Sequence, residues 1–207
     1  MPIGQKQVSS ACNKKKMILE ISRDLFAKFG FSKTTLDDIA NAIGMKKPSL
    51  YYYYNSKETI LFDVIQNEKK TYLNELTATI KSKSKICDKV LEYELAKIKY
   101  LRAAVNPYDM TVSLYLEIKN KIQTVLEEII KDEETIVKQI IDEGIRNNEI
   151  KKCDSKGLAK SIVTISEAIR YRELYNTSAP KVNQIDFNKA ENDIEFILKL
   201  LFESLKK

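Results

Sequence analysis

The sequence predicts an all-α fold. Apolar residues recur at three- and four-residue spacing along nearly the whole chain, which is the pattern of helices that bury one face. Glycine and proline are scarce, five and four in 207 residues, and they fall mainly between the periodic segments. The sequence has no strand-like alternation bounded by turn residues. These observations indicate helices that are joined by short turns.

Four helices are predicted in the N-terminal third. Gly30 follows the first helix, where a left-handed residue is common, and Gly44 ends the second in the same way. Thr35 and Ser56 are suited to cap the second and fourth helices, and Pro48 fits the first turn of the third. The predicted bounds are about Asn13–Lys28, Leu36–Ile43, Lys47–Tyr54 and Lys57–Lys81.

Five more helices are predicted in the remainder of the chain. Asn-Pro, Asn-Asn and Ser-Ala-Pro sequences mark the breaks between some of them. The bounds are about Ser84–Ala104, Tyr108–Lys119, Lys121–Arg146, Ser155–Asn176 and Asp186–Lys206. We interpret the chain as two domains, residues 13–63 and 64–207, which the long fourth helix joins directly.

The amino-acid composition narrows the classes of function that the chain can have. Residues 1–66 hold ten Lys and Arg against six Asp and Glu, so most of the net charge of +6 lies in the N-terminal third, as in a basic module on a nearly neutral body. Histidine, the commonest general base and metal ligand, is absent, which argues against an enzyme. The sequence indicates no cofactor and no metal site.

The same composition bears on the compartment. The three cysteines, Cys12, Cys87 and Cys153, are too widely spaced for a disulfide framework or a metal knuckle. We expect ordinary thiols in a reducing environment. Without a signal peptide or an apolar run long enough to cross a bilayer, we expect a cytoplasmic protein with no membrane partner.

Residues 35–54 carry the spacing of a helix-turn-helix. Two short helices that pack at a steep angle need a turn residue free of Cβ strain, which Gly44 provides. The small side chain of Ala40 allows close approach, and Leu50 points back toward Ile39 and Ile43. The combination predicts a motif that enters the major groove of DNA. The alternative is a plain helical hairpin whose tyrosines are half-buried.

The same stretch resembles the TetR family of transcriptional regulators, over about Lys14 to Asp63. Tyr54 stands where the family usually has Phe, and Pro48 where Gly is common. A weaker likeness at Ile141–Ile145 and Asn148–Ile150 matches the end of the family's seventh helix. The residues that carry the main resemblance are Leu25-Phe26, Gly30-Phe31, Thr34–Ala40, Gly44, Ser49–Tyr54 and Ser56–Glu58.

The resemblance implies a homodimer that binds a palindromic double-stranded DNA operator and is released by a small effector of unknown identity. Two half-sites about 34–36 Å apart would also supply the specificity that one short helix lacks. By the resemblance, Thr35 and Tyr51 contact phosphate, and Lys57 clamps another phosphate. The residues that face the groove are Lys46, Lys47, Ser49, Tyr52 and Tyr53, while Tyr54 turns inward.

Candidate effector and dimer residues come from the C-terminal helices. An aromatic and apolar cavity would favour a hydrophobic or amphipathic ligand, with Arg170, Arg172 or Lys97 meeting a carboxylate or phosphate. The other cavity candidates are Tyr93, Tyr100, Tyr108, Met110, Tyr115, Leu126, Ile130 and Tyr171. The resemblance favours a four-helix dimer interface formed by Leu158, Ile162, Ile165, Ile169, Ile194, Ile197, Leu198, Leu201 and Leu205. The alternative is a C-terminal domain that binds a protein partner and no small ligand.

Overall fold

The computed structural model of the chain describes residues 3–105 and 110–207, with side chains for residues 13–103, 110–120 and 122–207. Over the described residues the chain is helical and forms no sheet, which confirms the predicted fold class. The helices are α1 Ile3–Phe29, α2 Leu36–Ile43, α3 Lys47–Tyr51, α4 Lys57–Thr79, α5 Ile86–Val105, α6 Val112–Lys121, α7 Gln123–Arg146, α8 Ser155–Asn176 and α9 Asn188–Leu205.

Helix ends match the prediction best where cap chemistry is present. Both α2 and α8 have the predicted bounds, and the side chains of Thr35 and Asp154 cap their first turns. The first helix begins ten residues earlier than predicted, because its start has no apolar stripe that would reveal it. The prediction that α3 runs through all four tyrosines is wrong, since this helix ends at Tyr51.

The N-terminal helices share one core. Helix α1 packs against α2 and α4, and α2 packs against α3. The side chains at the centre are completely buried, so the short α2 and α3 derive their stability from packing rather than from length. They are Ile18, Phe26, Ile39, Leu50 and Ile60.

Helix α4 joins this group to the C-terminal helices. It packs against α1 at one end and against α5 and α7 further along. In the C-terminal part, α7 packs on α8, α5 packs on α9, and α8 packs on α9. No described helix is long and apolar enough to span a bilayer.

Candidate functional site

The start of α2 is fixed by a reciprocal cap. The Thr35 hydroxyl oxygen accepts a hydrogen bond from the backbone N–H of Asp38 (3.1 Å), and the Asp38 carboxylate accepts one from the backbone N–H of Thr35 (2.8 Å). The hydroxyl of Thr35 also donates to this carboxylate at 2.7 Å. Hydrogen bonds from Thr35 lower the pKa of the Asp38 carboxyl. The predicted cap is confirmed, and it holds Thr35 at the exposed end of α2.

The turn after α2 sets the direction of α3. Gly44 adopts a left-handed conformation (φ 71°, ψ 27°), and the backbone N–H of Met45 donates to the carbonyl oxygen of Ala40 at 2.9 Å. Beneath the turn, Ile39 and Leu50 are fully buried and Ala40 is 1% exposed. This packing holds α3 across α2 with its outer side in solvent.

The four consecutive tyrosines divide as predicted in one respect. Tyr54 turns inward, and its hydroxyl donates to the Asp63 carboxylate at 2.8 Å. Burial, followed by this hydrogen bond, raises the pKa of the Tyr54 phenol, so the hydroxyl remains a donor. Tyr52 is the most exposed, at 86%, and its ring meets the half-buried Tyr53 ring edge-to-face.

Most of the side chains predicted to contact DNA lie exposed on α3 or at its two ends. Lys46, Ser49, Tyr51 and Tyr52 are all exposed. Lys47 is exposed as well, but its ammonium pairs with the Asp37 carboxylate of α2 at 2.8 Å, which raises the lysine pKa. Sequence reasoning missed this pair. The Asp37 carboxylate therefore already neutralises part of the charge of Lys47 in the structure.

Lys57, the predicted phosphate clamp, is hydrogen-bonded within the chain in this structure. Its ammonium donates to the carbonyl oxygens of Phe31 (2.8 Å), Ser32 (3.1 Å) and Thr34 (3.1 Å), and it lies 4.5 Å from the centre of the Phe31 ring. An ammonium has three N–H donors, and all three are used. The structure thus gives Lys57 the role of a brace between α4 and the α1–α2 linker.

A cavity of about 630 Å³ lies between α4, α5, α6, α7 and α8 and reaches α1. Its volume is within the range of small-molecule sites, and apolar and aromatic side chains form most of its wall. Eight of the predicted candidates line it: Lys97, Tyr100, Met110, Tyr115, Leu126, Ile130, Arg170 and Tyr171. These residues belong to separate stretches of sequence that the fold brings together.

Two candidates are placed elsewhere, and a third lies outside the described residues. Tyr93 is fully buried but is not part of the cavity wall. Arg172 is also outside the wall, because it pairs with the Glu173 and Asp193 carboxylates instead. Tyr108 lies outside the described residues.

A cluster of buried charges forms one side of the cavity. The Lys97 ammonium lies 2.7 Å from a Glu133 oxygen, 3.1 Å from Glu94 and 3.5 Å from Glu167, and Lys97, Glu94 and Glu133 are almost completely buried. Arg170 pairs with Glu167, and the hydroxyl of Tyr72 donates to Glu133 at 2.5 Å.

This cluster was only partly predicted, because the sequence reasoning named Lys97 and Arg170 but not their partners. Glu94 and Lys97 follow Val90 and Tyr93 on the apolar stripe of α5. Polar residues at core-facing helical positions were the signal that could have revealed the cluster.

The predicted dimer residues are of two kinds. Ile162, Ile194 and Leu198 are about 2% exposed, so they belong to the subunit's own core. The other six are exposed or half-buried: Leu158, Ile165, Ile169, Ile197, Leu201 and Leu205. Sequence reasoning missed Phe196 and Leu200, which are 68% and 63% exposed on α9. An apolar surface of this kind marks an interaction site.

Comparisons with known proteins agree with the geometry. Residues 18–64 match the model of "Bacterial regulatory proteins, tetR family". A fatty acid metabolism regulator protein of Bacillus subtilis is 23% identical, over 73% of this chain and 79% of its own. The biofilm operon negative transcriptional regulator IcaR of Staphylococcus aureus is 29% identical, over 56% and 68%.

A solved structure supports the fold over nearly the whole chain. The crystal structure of a transcriptional regulator from Cytophaga hutchinsonii has a TM-score of 0.72 and 24% identity, and the match covers 94% of this chain and 99% of that one. The cap at Thr35, the turn at Gly44 and the exposed outer side of α3 lie within the segment that matches the family model. The segment of residues 18–64 therefore matches the TetR family, and the family model, the relatives and the shared fold together support a DNA-binding transcriptional regulator of this kind.

Proposed function

We propose that the protein is a repressor that binds a palindromic operator as a homodimer and is released when a small hydrophobic or amphipathic ligand enters the cavity. The observation that carries the proposal is that α4 belongs to both sites. Its first turn braces the α1–α2 linker through Lys57, and later residues of the same helix, from Leu61 to Glu75, line the cavity. A ligand that moves α4 therefore acts on the DNA-binding helices.

Among the named residues, Thr35, Lys46, Lys47, Ser49, Tyr51, Tyr52 and Tyr53 remain the proposed DNA contacts. Lysine neutralises phosphate, and hydroxyl and aromatic groups contact phosphate oxygens, sugars and thymine methyls. The relative named as a negative transcriptional regulator supports repression. The domain bounds of 13–63 and 64–207 are likewise a proposal, and α4 crosses the boundary between them.

The salt dependence of DNA binding distinguishes the two lysines Lys46 and Lys57. The Lys46 ammonium makes no ion pair within the described part of the chain, so Lys46→Met is expected to reduce the slope of log affinity against log salt by about one for each half-site. Lys57→Met is expected to leave the slope unchanged and to lower the free energy of unfolding by about 2 kcal/mol, because the lost bonds are intramolecular.

Gel-shift titrations and urea unfolding measure the two effects. The duplex is an operator selected from a random library by repeated binding. A reduced slope for Lys57→Met would restore its role as a phosphate clamp. Salt-independent binding of the unmodified protein would overturn the electrostatic account of DNA binding.

The dimer is tested on the exposed surface of α8 and α9. Ile165 is 38% exposed, so Ile165→Glu leaves the subunit core intact while placing a charge in the proposed interface. We expect sedimentation to change from twice the chain mass of 23.9 kDa to the chain mass itself, with operator affinity falling about a hundredfold. Lys160→Glu, at an exposed position of α8, is the control. A dimer that survives Ile165→Glu would place the interface elsewhere.

The second hypothesis, a protein partner in place of a small ligand, is less well supported. It would be favoured by a filled core between α5 and α8, whereas a cavity of about 630 Å³ lies there.

A further inference from the structure

One lysine in the cavity wall differs from the others in its surroundings. The ammonium of Lys69 pairs with the Glu128 and Asp132 carboxylates, and the ammonium of Lys97 lies within 3.5 Å of three carboxylates. Lys119, on α6, makes no ion pair within the described part of the chain. Its ammonium lies 3.1 Å from the centre of the Tyr171 ring instead. Lys119 is therefore the lysine of this wall that has no carboxylate partner among the described residues.

The surroundings of Lys119 suit an anion. The Arg170 guanidinium lies 5.8 Å from the centre of the same Tyr171 ring, so two cations flank one aromatic side chain. The Arg170 Nε is buried and has no hydrogen-bond acceptor, although the guanidinium pairs with Glu167 elsewhere. A buried donor without an acceptor carries a free-energy cost that an entering anion can remove.

Two hydroxyl donors complete the group. Tyr115 and Tyr171 both line the cavity, and burial raises the pKa of both phenols. They therefore stay protonated. The two hydroxyls are hydrogen-bonded to each other, and Tyr171 is also bonded to Arg170, so an entering anion would draw these donors toward itself. Burial also lowers the pKa of Lys119, as expected for an ammonium that lacks a full counter-charge.

The carboxylates of the wall do not cancel this preference. The Glu133 carboxylate is paired with Lys97 and accepts a hydrogen bond from the Tyr72 hydroxyl. Glu167, which acts electrostatically on Lys119, is already paired with Arg170 and Lys97. The remaining carboxylates, Glu68 and Glu75, lie on α4. Their charges raise the pKa of Tyr100 and are not among the charges that shift the pKa of Lys119.

We infer that the effector is an amphiphile with a carboxylate head group, which is bound by Lys119, the Arg170 Nε and the hydroxyls of Tyr115 and Tyr171. The apolar chain lies along the part of the wall formed by Ile118, Ile122 and Leu126. This inference rests on the proposed function, in which the cavity is the effector site.

The test compares three ligands of equal chain length and different head groups: dodecanoate, dodecanol and dodecylamine. Calorimetric titration of the full chain is expected to show dodecanoate binding at least about tenfold more tightly than dodecanol, and dodecylamine binding most weakly. Lys119→Met keeps an unbranched apolar side chain against Tyr171 but removes the charge. This variant is expected to bind the acid and the alcohol with similar affinity.

Lys69→Met is the matched control, because it removes a lysine of the same wall whose charge is already paired. It is expected to retain the preference for dodecanoate. Equal binding of acid and alcohol by the unmodified protein, tighter binding of the amine, or binding of none of the three would overturn the inference. So would a preference that survives Lys119→Met.

A gel shift with the same ligands separates this inference from the proposed function. If dodecanol or dodecylamine releases the operator while dodecanoate does not, the ligand-responsive function stands and the head-group assignment fails. If dodecanoate binds with the expected preference but leaves the operator bound, the assignment stands and release by this ligand fails.

Discussion

Replacing Lys97 with methionine is expected to lower the free energy of unfolding by about 3–5 kcal/mol at neutral pH. Lys97 is 2% exposed, and its ammonium is shared by Glu94, Glu133 and Glu167, which come from three different helices. Removing the cation leaves these carboxylates buried and underpaired between α5, α7 and α8. Equilibrium unfolding in urea, followed by far-ultraviolet circular dichroism, measures the loss.

Two variants show whether the loss comes from unpaired charge. Lys199→Met removes an ammonium that is paired with Glu195 but mostly exposed, and we expect almost no change in the free energy of unfolding. Adding Glu133→Gln to Lys97→Met removes one stranded carboxylate and keeps an acceptor for Tyr72, so part of the stability should return. A loss below about 1 kcal/mol for Lys97→Met alone would show that solvent, rather than Lys97, compensates the carboxylates.

Replacing Glu94 with glutamine is expected to flatten the pH dependence of stability between about pH 4.5 and 7. Burial, opposed by Lys97, raises the pKa of Glu94 from 4.5 to about 7. The folded state then holds this proton more tightly than the unfolded state, so stability is fully present below pH 4.5 and is lost as pH rises toward 7. The loss is on the order of 3 kcal/mol. Glutamine has no proton to lose.

The sequence makes this pH window easy to interpret. The chain has no histidine, so no imidazole titrates between pH 5 and 7. Glu68, whose pKa is also raised by burial, accounts for a smaller residual slope. Glu203→Gln, at an exposed carboxylate of α9, is the control and should retain the full slope. Identical slopes for Glu94→Gln and the unmodified protein would mean that Glu94 does not carry the effect.

Local chemistry was predictable from the sequence. The Thr35 cap, the Gly44 turn and the inward position of Tyr54 each depend on residues within ten positions of one another, and the structure confirms them. The end of α3 was not predictable from propensity. The chain leaves the helix after Tyr51 so that Tyr54 can reach Asp63 on α4, which is a tertiary requirement.

Relations between distant segments were the part that sequence reasoning missed. A lysine such as Lys57 gives the same signal in sequence whether it meets phosphate or three carbonyl oxygens of a linker more than twenty residues earlier. Likewise, no described carboxylate is a partner of Lys119, because the nearby carboxylates are paired with other cations, and the sequence alone does not show those pairs. Apolar periodicity identifies which face of a helix is buried, but it does not reveal the partners of charged groups that are buried with it.

The continuity of α4 limits how relatives of this protein can be recombined. An engineered chimera that exchanged residues 1–63 would cut α4 within the segment that lines the cavity. It would also exchange Arg23, Ala27 and Phe31, which are wall residues of the N-terminal part. The N-terminal helices and the cavity are therefore not separable modules at that junction. A graft that keeps all of α4 with the C-terminal helices, and restores the residues at 23, 27 and 31, would preserve the cavity wall.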